Sequence, residues 1–232
     1  YHFNADIIYA KDIDTGNLKS KYDAIVFVGG AIPGMNANAR GGGFDREPKG
    51  DSIPEEYRNR IGRITAAKSI PQLKKFLEDG GNIVTIGSST NLAYHLSVPV
   101  KNALVETVNG VERNLPNEKF YIPGSLMRVT VDSTDNAAYG FNSKTDVYFE
   151  TSPVFNILPQ AQVNATVKPI AWYADAQTLR SGWAWGQAYL QNGVAAFKAT
   201  VGKGTLFAYG PEITFRAQPY GTFKFLFNAL YQ

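Results

Sequence analysis

Apolar and polar positions divide the chain into a helix-and-strand core followed by a strand-rich second half. "YDAIVFVGG" (Tyr22–Gly30) carries five apolar residues, Ala24–Val28, that run unbroken into Gly29-Gly30. Such a run reads as a strand buried on both faces, as in a parallel sheet. "SIPQLKKFLEDGGNIVTIG" gives the clearest signal. Ser69 is placed to cap a helix, and Pro71 suits its first turn. Leu73, Phe76 and Leu77 share one apolar face, and Gly80-Gly81 stops the helix before a buried strand, Ile83–Ile86. Helix, glycine stop and strand together predict an αβ unit of a doubly wound sheet. "ADIIYAKDID" (Ala5–Asp14) predicts a further short strand and its exit.

Beyond these elements, "LMRVTVDS" (Leu126–Ser133) alternates like a strand, and "DVYFETSPVFNIL" (Asp146–Leu158) and "KPIAWYA" (Lys168–Ala174) follow it. "GVAAFKATVGKGTLFAYGPEI" (Gly193–Ile213) reads as two strands joined at Gly202-Lys203-Gly204. The closing "GTFKFLFNALYQ" predicts an amphipathic helix with Phe223, Leu226, Phe227 and Leu230 on one face. Gly, Pro and Asn between Ala31 and Gly62 predict a long loop. Its Arg40, Arg46, Lys49, Arg58 and Arg60, with Arg63 beside it, are mixed with acids and read as a solvated face rather than a phosphate patch. The expected fold is α/β: a doubly wound, mostly parallel sheet flanked by helices, with an antiparallel portion towards the C-terminus. No repeat or linker divides residues 1–232, so one domain is expected.

Composition narrows the chemistry. The chain of 232 residues is 44% hydrophobic and 19% charged, an ordinary globular mix. A net charge of +3 is too small to predict a nucleic-acid partner, and no apolar run is long enough for a membrane span. The absence of cysteine excludes a disulfide scaffold, a thiolate metal site and a cysteine nucleophile. One sequon, Asn164-Ala-Thr166, carries little information. The start "YHFNAD", without Met, reads as entered partway through a longer protein.

Each candidate chemistry has a weak point. His2 and His95 are the only histidines, and neither begins a zinc-ligand pattern; His95, beside Leu92 and Leu96, reads as a packed or capping residue. Gly29–Gly34 has P-loop glycine spacing, but Met35-Asn36 stands where Lys and Ser/Thr belong. Glu55-Glu56 and Glu78-Asp79 sit beside turn signals and look solvated, and no two acids are singled out as converging on a cleft. Gly87-Ser88-Ser89-Thr90-Asn91 approaches the nucleophile elbow G-x-S-x-G, with Asn91 replacing the last glycine. A Ser89 nucleophile needs a base, and His95 lies along the same predicted helix, pointing away. The alternative is that the Ser88, Ser89 and Thr90 hydroxyls cap helix amides.

The run "PQLKKFLEDGGNIVTIGSSTNLA" resembles the core of class I glutamine-amidotransferase-like domains, which share a flavodoxin-like sheet. In working members of that family the elbow carries Cys and a late strand ends in His-Pro-Glu. Here Ser89 stands at the Cys position, and "TLFAYGPEITFR" offers Gly210-Pro211-Glu212, so the resemblance leaves Glu212 without the histidine base. A closer resemblance is to the C-terminal amidotransferase-like domain of some bacterial zinc carboxypeptidases. It is carried in order by "KYDAIVFVGG", "IPEEYRNRIG", "EDGGNIVTIGSSTNLA", "SGWAWGQAYL" and "VGKGTLFAYGPEITFRAQPYGTFKFLFNALY". That resemblance implies a strand and helix before Tyr1, an upstream peptidase domain holding zinc, no catalytic or metal-ligating residue in this segment, and a secreted or periplasmic setting. It implies an accessory module that packs on the peptidase domain, shapes its substrate entrance or mediates association, including homo-oligomers.

Two further readings stand beside this one. The first is a serine-dependent hydrolase or amidase using Ser89. The second is a glycan- or peptide-binding module, because "RSGWAWGQAYL" puts Trp183, Trp185 and Tyr189 close together. Such aromatics more often pack in a core or between domains. Arg216 and Gln218, after the last strand, are placed to tie loops or face a partner.

Overall fold

The computed structural model describes residues 3–35, 53–163 and 166–231. Its helices are α1 (Ala10–Asp14), α2 (Ser69–Glu78), α3 (Leu92–His95), α4 (Pro159–Val163) and α5 (Phe223–Leu230). Its strands run β1 (Ala24–Phe27), β2 (Asn82–Ile86), β3 (Val100–Asn102), β4 (Val105–Val108), β5 (Val111–Asn114) and β6 (Ser125–Val131). They continue as β7 (Lys144–Phe149), β8 (Phe155–Ile157), β9 (Val167–Trp172), β10 (Leu179–Ser181), β11 (Val194–Val201) and β12 (Gly204–Tyr209).

The fold is α/β, with one sheet ordered β1-β2-β12-β11-β9-β6-β10. β1, β2 and β12 are parallel, with Ile25, Ile83 and Leu206 in one register row. From β12 onward the pairings are antiparallel. That antiparallel portion is larger than expected, because β7 also joins β6, while β3 and β8 attach beside β11. β4 and β5 form a separate hairpin.

Alternation along the parallel strands feeds two interiors. On one face, Ile25, Phe27, Ile83, Leu206 and Ala208 pack with Leu73, Phe76 and Leu77 of α2. On the other, Val84, Ile86, Phe207 and Tyr209 pack with Phe225 and Ala229 of α5 and with Met127, Val129 and Val131 of β6. The αβ unit is therefore built as its sequence pattern predicts, and β11 turns into β12 across Gly202-Lys203 with Val201 opposite Gly204.

Four local expectations fail for physical reasons. Residues 10–14 form helix rather than strand, because the Asp12 carboxylate accepts the Tyr9 amide at 2.7 Å and starts a turn. β1 is not buried on both faces: it is the edge of the sheet, and Val26 is 41% exposed. Ser69 does not cap α2. It is the first helical residue, accepts the Thr65 amide at 3.0 Å and donates to Asp14 Oδ1 at 2.6 Å, tying α1 to α2. On α5 the deepest residues are Phe225 and Ala229, whereas Phe223, Leu226, Phe227 and Leu230 are only part-buried.

Candidate functional site

In open α/β sheets, ligands bind outside the carboxyl ends of parallel strands. Here β1 leads into Val28-Gly29-Gly30, β2 into Gly87, and β12 into Gly210-Pro211-Glu212. The residue that turns left-handed straight after β2 is Gly87, at φ +58°. That is the sharp strand-to-helix position at which an elbow raises its nucleophile. A Cβ on Gly87 would stand 2.1 Å from Glu212 Oε1, and one on Gly29 3.0 Å from the same atom. The Glu212 carboxylate therefore covers the ends of both β1 and β2.

Ser89 lies two residues past the bend and is fully buried. Its hydroxyl donates to the Val28 carbonyl and accepts the Ala31 and Ile32 amides at 3.0 and 3.3 Å. Exposed Ser88 accepts the Gly30 amide at 2.8 Å, and Thr90 donates to the Gly87 carbonyl at 2.7 Å. These hydroxyls do not cap the following helix, as the sequence suggests; Ser88 and Ser89 fasten it to the loop after β1. They also occupy the amides of Gly30, Ala31 and Ile32, which a phosphate loop would turn towards its ligand. His95 sits at the end of α3 with Nε2 2.8 Å from the Pro33 carbonyl.

Glu212 is half-buried, and its carboxylate has no hydrogen-bond or ion-pair partner among the described residues. Burial, and secondarily the Glu150 carboxylate, push its pKa above the ordinary glutamate range, making it a weaker acid. Two acids thus do come within electrostatic reach, which the sequence did not single out. Glu150 reaches this place through a long-range contact, the Glu212 amide to the Tyr148 carbonyl at 3.1 Å. The wall beside them is aromatic: Tyr148 stacks on Phe215 at 4.2 Å, and the Arg216 guanidinium lies 5.0 Å from the Phe215 ring. Among the described residues Arg216 ties no loop by a hydrogen bond; it turns left-handed at φ +47°, followed by Ala217 at +55°. Gly210 has no room for a side chain: a Cβ there would stand 2.0 Å from the Pro153 carbonyl oxygen.

The second cluster is aromatic. Trp183, Trp185 and Tyr189 are 52%, 54% and 48% exposed, so they are not core residues of this chain. The structure adds Tyr121, 43% exposed, which the sequence offered no reason to include. It pairs with Trp185 through two backbone hydrogen bonds of 3.0 Å and meets the Trp183 ring edge-on at 6.0 Å. Trp185 Nε1 donates to the Glu118 carbonyl at 2.7 Å, and Ser125 Oγ bonds both the amide and the carbonyl of Trp183. The Trp185 ring is thus pinned by its own hydrogen bond and the Trp183 backbone by Ser125, while the surfaces of both rings face solvent.

Glu55, Glu56, Glu78 and Asp79 are exposed, the last two paired with Lys74 and Lys75 one turn back. Among the described residues, no three His, Asp or Glu side chains are grouped to hold a metal ion, and no helix is long and apolar enough to cross a membrane. His2, residues 36–52 of the long loop and Asn164 of the sequon lie outside the described residues.

No family model matches the sequence, and no curated protein matches it either. Solved structures do. A Thermoplasma acidophilum protein, described as one subunit of GMP synthase, superposes with a TM-score of 0.48 at 15% identity, covering 95% of this chain and 76% of that one. PurLQS from Thermotoga maritima gives 0.47 at 14% identity, over 90% of this chain and 79% of that one. β-Galactosidase from Bacillus circulans sp. alkalophilus gives 0.42 at 10% identity over 70% of this chain. The chain spans about one fifth of the length of that enzyme and of a second β-galactosidase it matches. None of these reaches a TM-score of 0.5, and the function of this chain is argued from its own residues.

Proposed function

We propose that this chain is a non-catalytic amidotransferase-like module, one domain of a longer secreted protein whose peptidase domain is a zinc carboxypeptidase. The observation that carries the non-catalytic half is the place of Glu212 over Gly87. At the bend where an amidotransferase raises its nucleophile, this chain has no side chain, and a carboxylate fills the space. Ser89 cannot take over, because its proton is given to the Val28 carbonyl and its lone pairs to two amides, so that among the described residues no titratable side chain bonds its hydroxyl. Gly210 cannot supply one. The carboxypeptidase half rests on the sequence blocks that resemble the accessory domain of that family. Zinc belongs to the peptidase domain in this reading, and the module contributes packing and association.

Two measurements test it. The chain should release no glutamate from glutamine and take no label from a fluorophosphonate probe. Labelling that disappears in Ser89→Ala would overturn the non-catalytic reading. The longer polypeptide should remove C-terminal residues from peptides and lose that activity to a chelator; a polypeptide with no peptidase domain would end the accessory reading.

A second reading is favoured by one specific observation, the exposed rings of Tyr121, Trp183, Trp185 and Tyr189, with Trp185 pinned at its indole nitrogen. Such a platform stacks against the C–H faces of sugars or against peptide side chains. Quenching or shift of tryptophan emission on adding glycans or peptides tests it, and no response across a broad panel retires it.

A further inference from the structure

The aromatic platform and the wall beside Glu212 are parts of one row. Leu126 of β6 stands directly opposite Tyr148 of β7 on one side and Ser181 of β10 on the other. Leu126 is 40% exposed, so it carries an apolar surface from β7 towards β10. At one end of the row Tyr148 stacks on Phe215. At the other, the chain leaves β10 for Trp183, whose ring meets Tyr121, with Trp185 paired to Tyr121. Gly124 joins the two halves a second time. A Cβ there would stand 2.9 Å from the Tyr148 hydroxyl, and φ is +150°, so only glycine lets the backbone between Tyr121 and Ser125 pass against that ring. Neighbouring strands lie about 5 Å apart, so the row extends well beyond the footprint of one ring-sized ligand.

Charges beside the row are matched in pairs. Arg128 grips Asp146 at 2.7 and 2.9 Å, one step along the same face of β6 and β7. Lys119, in electrostatic reach of Tyr189, pairs with Glu106. At the Phe215 end, the Arg216 guanidinium and the Glu212 and Glu150 carboxylates stand together. An anionic ligand would meet the two carboxylates there, and a cationic one the guanidinium. Uncharged hydroxyl groups, which both donate and accept, suit both. The exposed ring faces of Trp183, Trp185 and Tyr121 suit the C–H faces of the same ligand.

We propose that this row binds a neutral oligosaccharide several sugar units long. One part of it stacks on Trp183, Trp185 and Tyr121, and the rest lies over Leu126, Tyr148 and Phe215. The proposal rests on the platform reading given under the proposed function, and adds to it the ligand class and the second half of the site.

Tryptophan emission and titration calorimetry on the intact chain test it. The probes are cellohexaose, chitohexaose and laminarihexaose, the matching disaccharides, and decaproline as the peptide alternative. At least one hexasaccharide should bind saturably, and its disaccharide at least about tenfold more weakly, because it covers only part of the row. Trp183→Ala should weaken both by about fivefold or more. Phe215→Ala and Leu126→Ala should each weaken the hexasaccharide by about threefold and leave the disaccharide unchanged. Val111→Ala, at a side chain 55% exposed on the β4–β5 hairpin, should change nothing. Hexasaccharide binding lost in Trp183→Ala but untouched in both Phe215→Ala and Leu126→Ala would overturn the extended row and leave the platform standing. Decaproline binding with no response to any oligosaccharide would overturn the ligand class and leave a peptide platform. No binding by any probe, or a loss equally large in Val111→Ala, would overturn the row and the platform reading together.

Discussion

Glu212 Oε1 lies where the first side-chain atom of residue 87 would be, 2.1 Å from a Cβ placed on Gly87. The left-handed backbone there and the intruding carboxylate both demand glycine, and they can be separated. Gly87→Ala should cost about 1–3 kcal/mol from the backbone conformation alone. The same substitution in a Glu212→Ala background should cost less by up to about 1 kcal/mol, the part due to collision. Urea unfolding of the four chains measures both parts, and an unchanged cost of Gly87→Ala would show that the carboxylate simply moves aside.

Ser89 holds three backbone groups of another segment. Ser89→Ala leaves the buried Ile32 amide without its acceptor and the Ala31 amide with only the Val28 carbonyl at 3.4 Å, and should lower stability by about 1–3 kcal/mol. Ser88→Ala, at an exposed hydroxyl with one amide partner, should cost less than about 1 kcal/mol. Equal costs in chemical denaturation would contradict the roles assigned to the two serines.

Glu212 makes stability fall as pH rises. Its carboxyl holds its proton more tightly in the folded chain than in the unfolded one. The favourable contribution is complete below the unfolded value, about 4.3, and is lost as pH climbs through the raised folded value. Glu212→Gln is neutral throughout, so it should flatten that fall and melt higher than the parent at pH 7. A parent and variant with parallel pH profiles of melting temperature would contradict this.

Installing a histidine at Gly210 should fail on steric grounds. Gly210→Ala already drives a Cβ onto the Pro153 backbone carbonyl and should cost about 3 kcal/mol, since backbone yields less readily than a side-chain tip. The Gly87→Cys and Gly210→His pair should therefore show no glutamine hydrolysis. Glutamate release by the pair would mean that the loop at Pro153 can withdraw.

The aromatic platform should be dispensable for folding. Trp183→Ala and Tyr189→Ala should each cost less than about 1 kcal/mol, as for surface substitutions. Losses of several kcal/mol in thermal or urea unfolding would place these rings in the core after all.

Local patterns were readable wherever one helix turn or one strand decided the outcome. Leu73, Phe76 and Leu77 announce α2, Ile83–Ile86 announce β2, and Gly202-Lys203 announces the last hairpin. The exposure of Val26 was hidden, because an apolar run does not say whether its strand lies at the edge of the sheet. Ala5–Asp14 misled because a single carboxylate–amide bond at Tyr9 outweighs the β-preference of Ile7 and Ile8. At the strand ends, sequence named Ser89 and Glu212 but not their partners. Val28, Ala31 and Ile32 lie about sixty residues from Ser89, and Glu150 meets Glu212 only through the β7 contact. Tyr121 joined the aromatic group by a bridge across distant loops, for which no local spacing exists.

The residues of β12 point alternately into the two interiors: Leu206 and Ala208 to one, Phe207 and Tyr209 to the other, with the Tyr209 hydroxyl held by the Phe225 carbonyl at 3.0 Å. A slip of one residue would send each of these side chains into the wrong layer and break that anchor to α5. The helix-covered layer and the β6-lined layer are therefore tied by a shared central strand, so neither can melt while the other stays ordered, and heating should disassemble both in a single cooperative step.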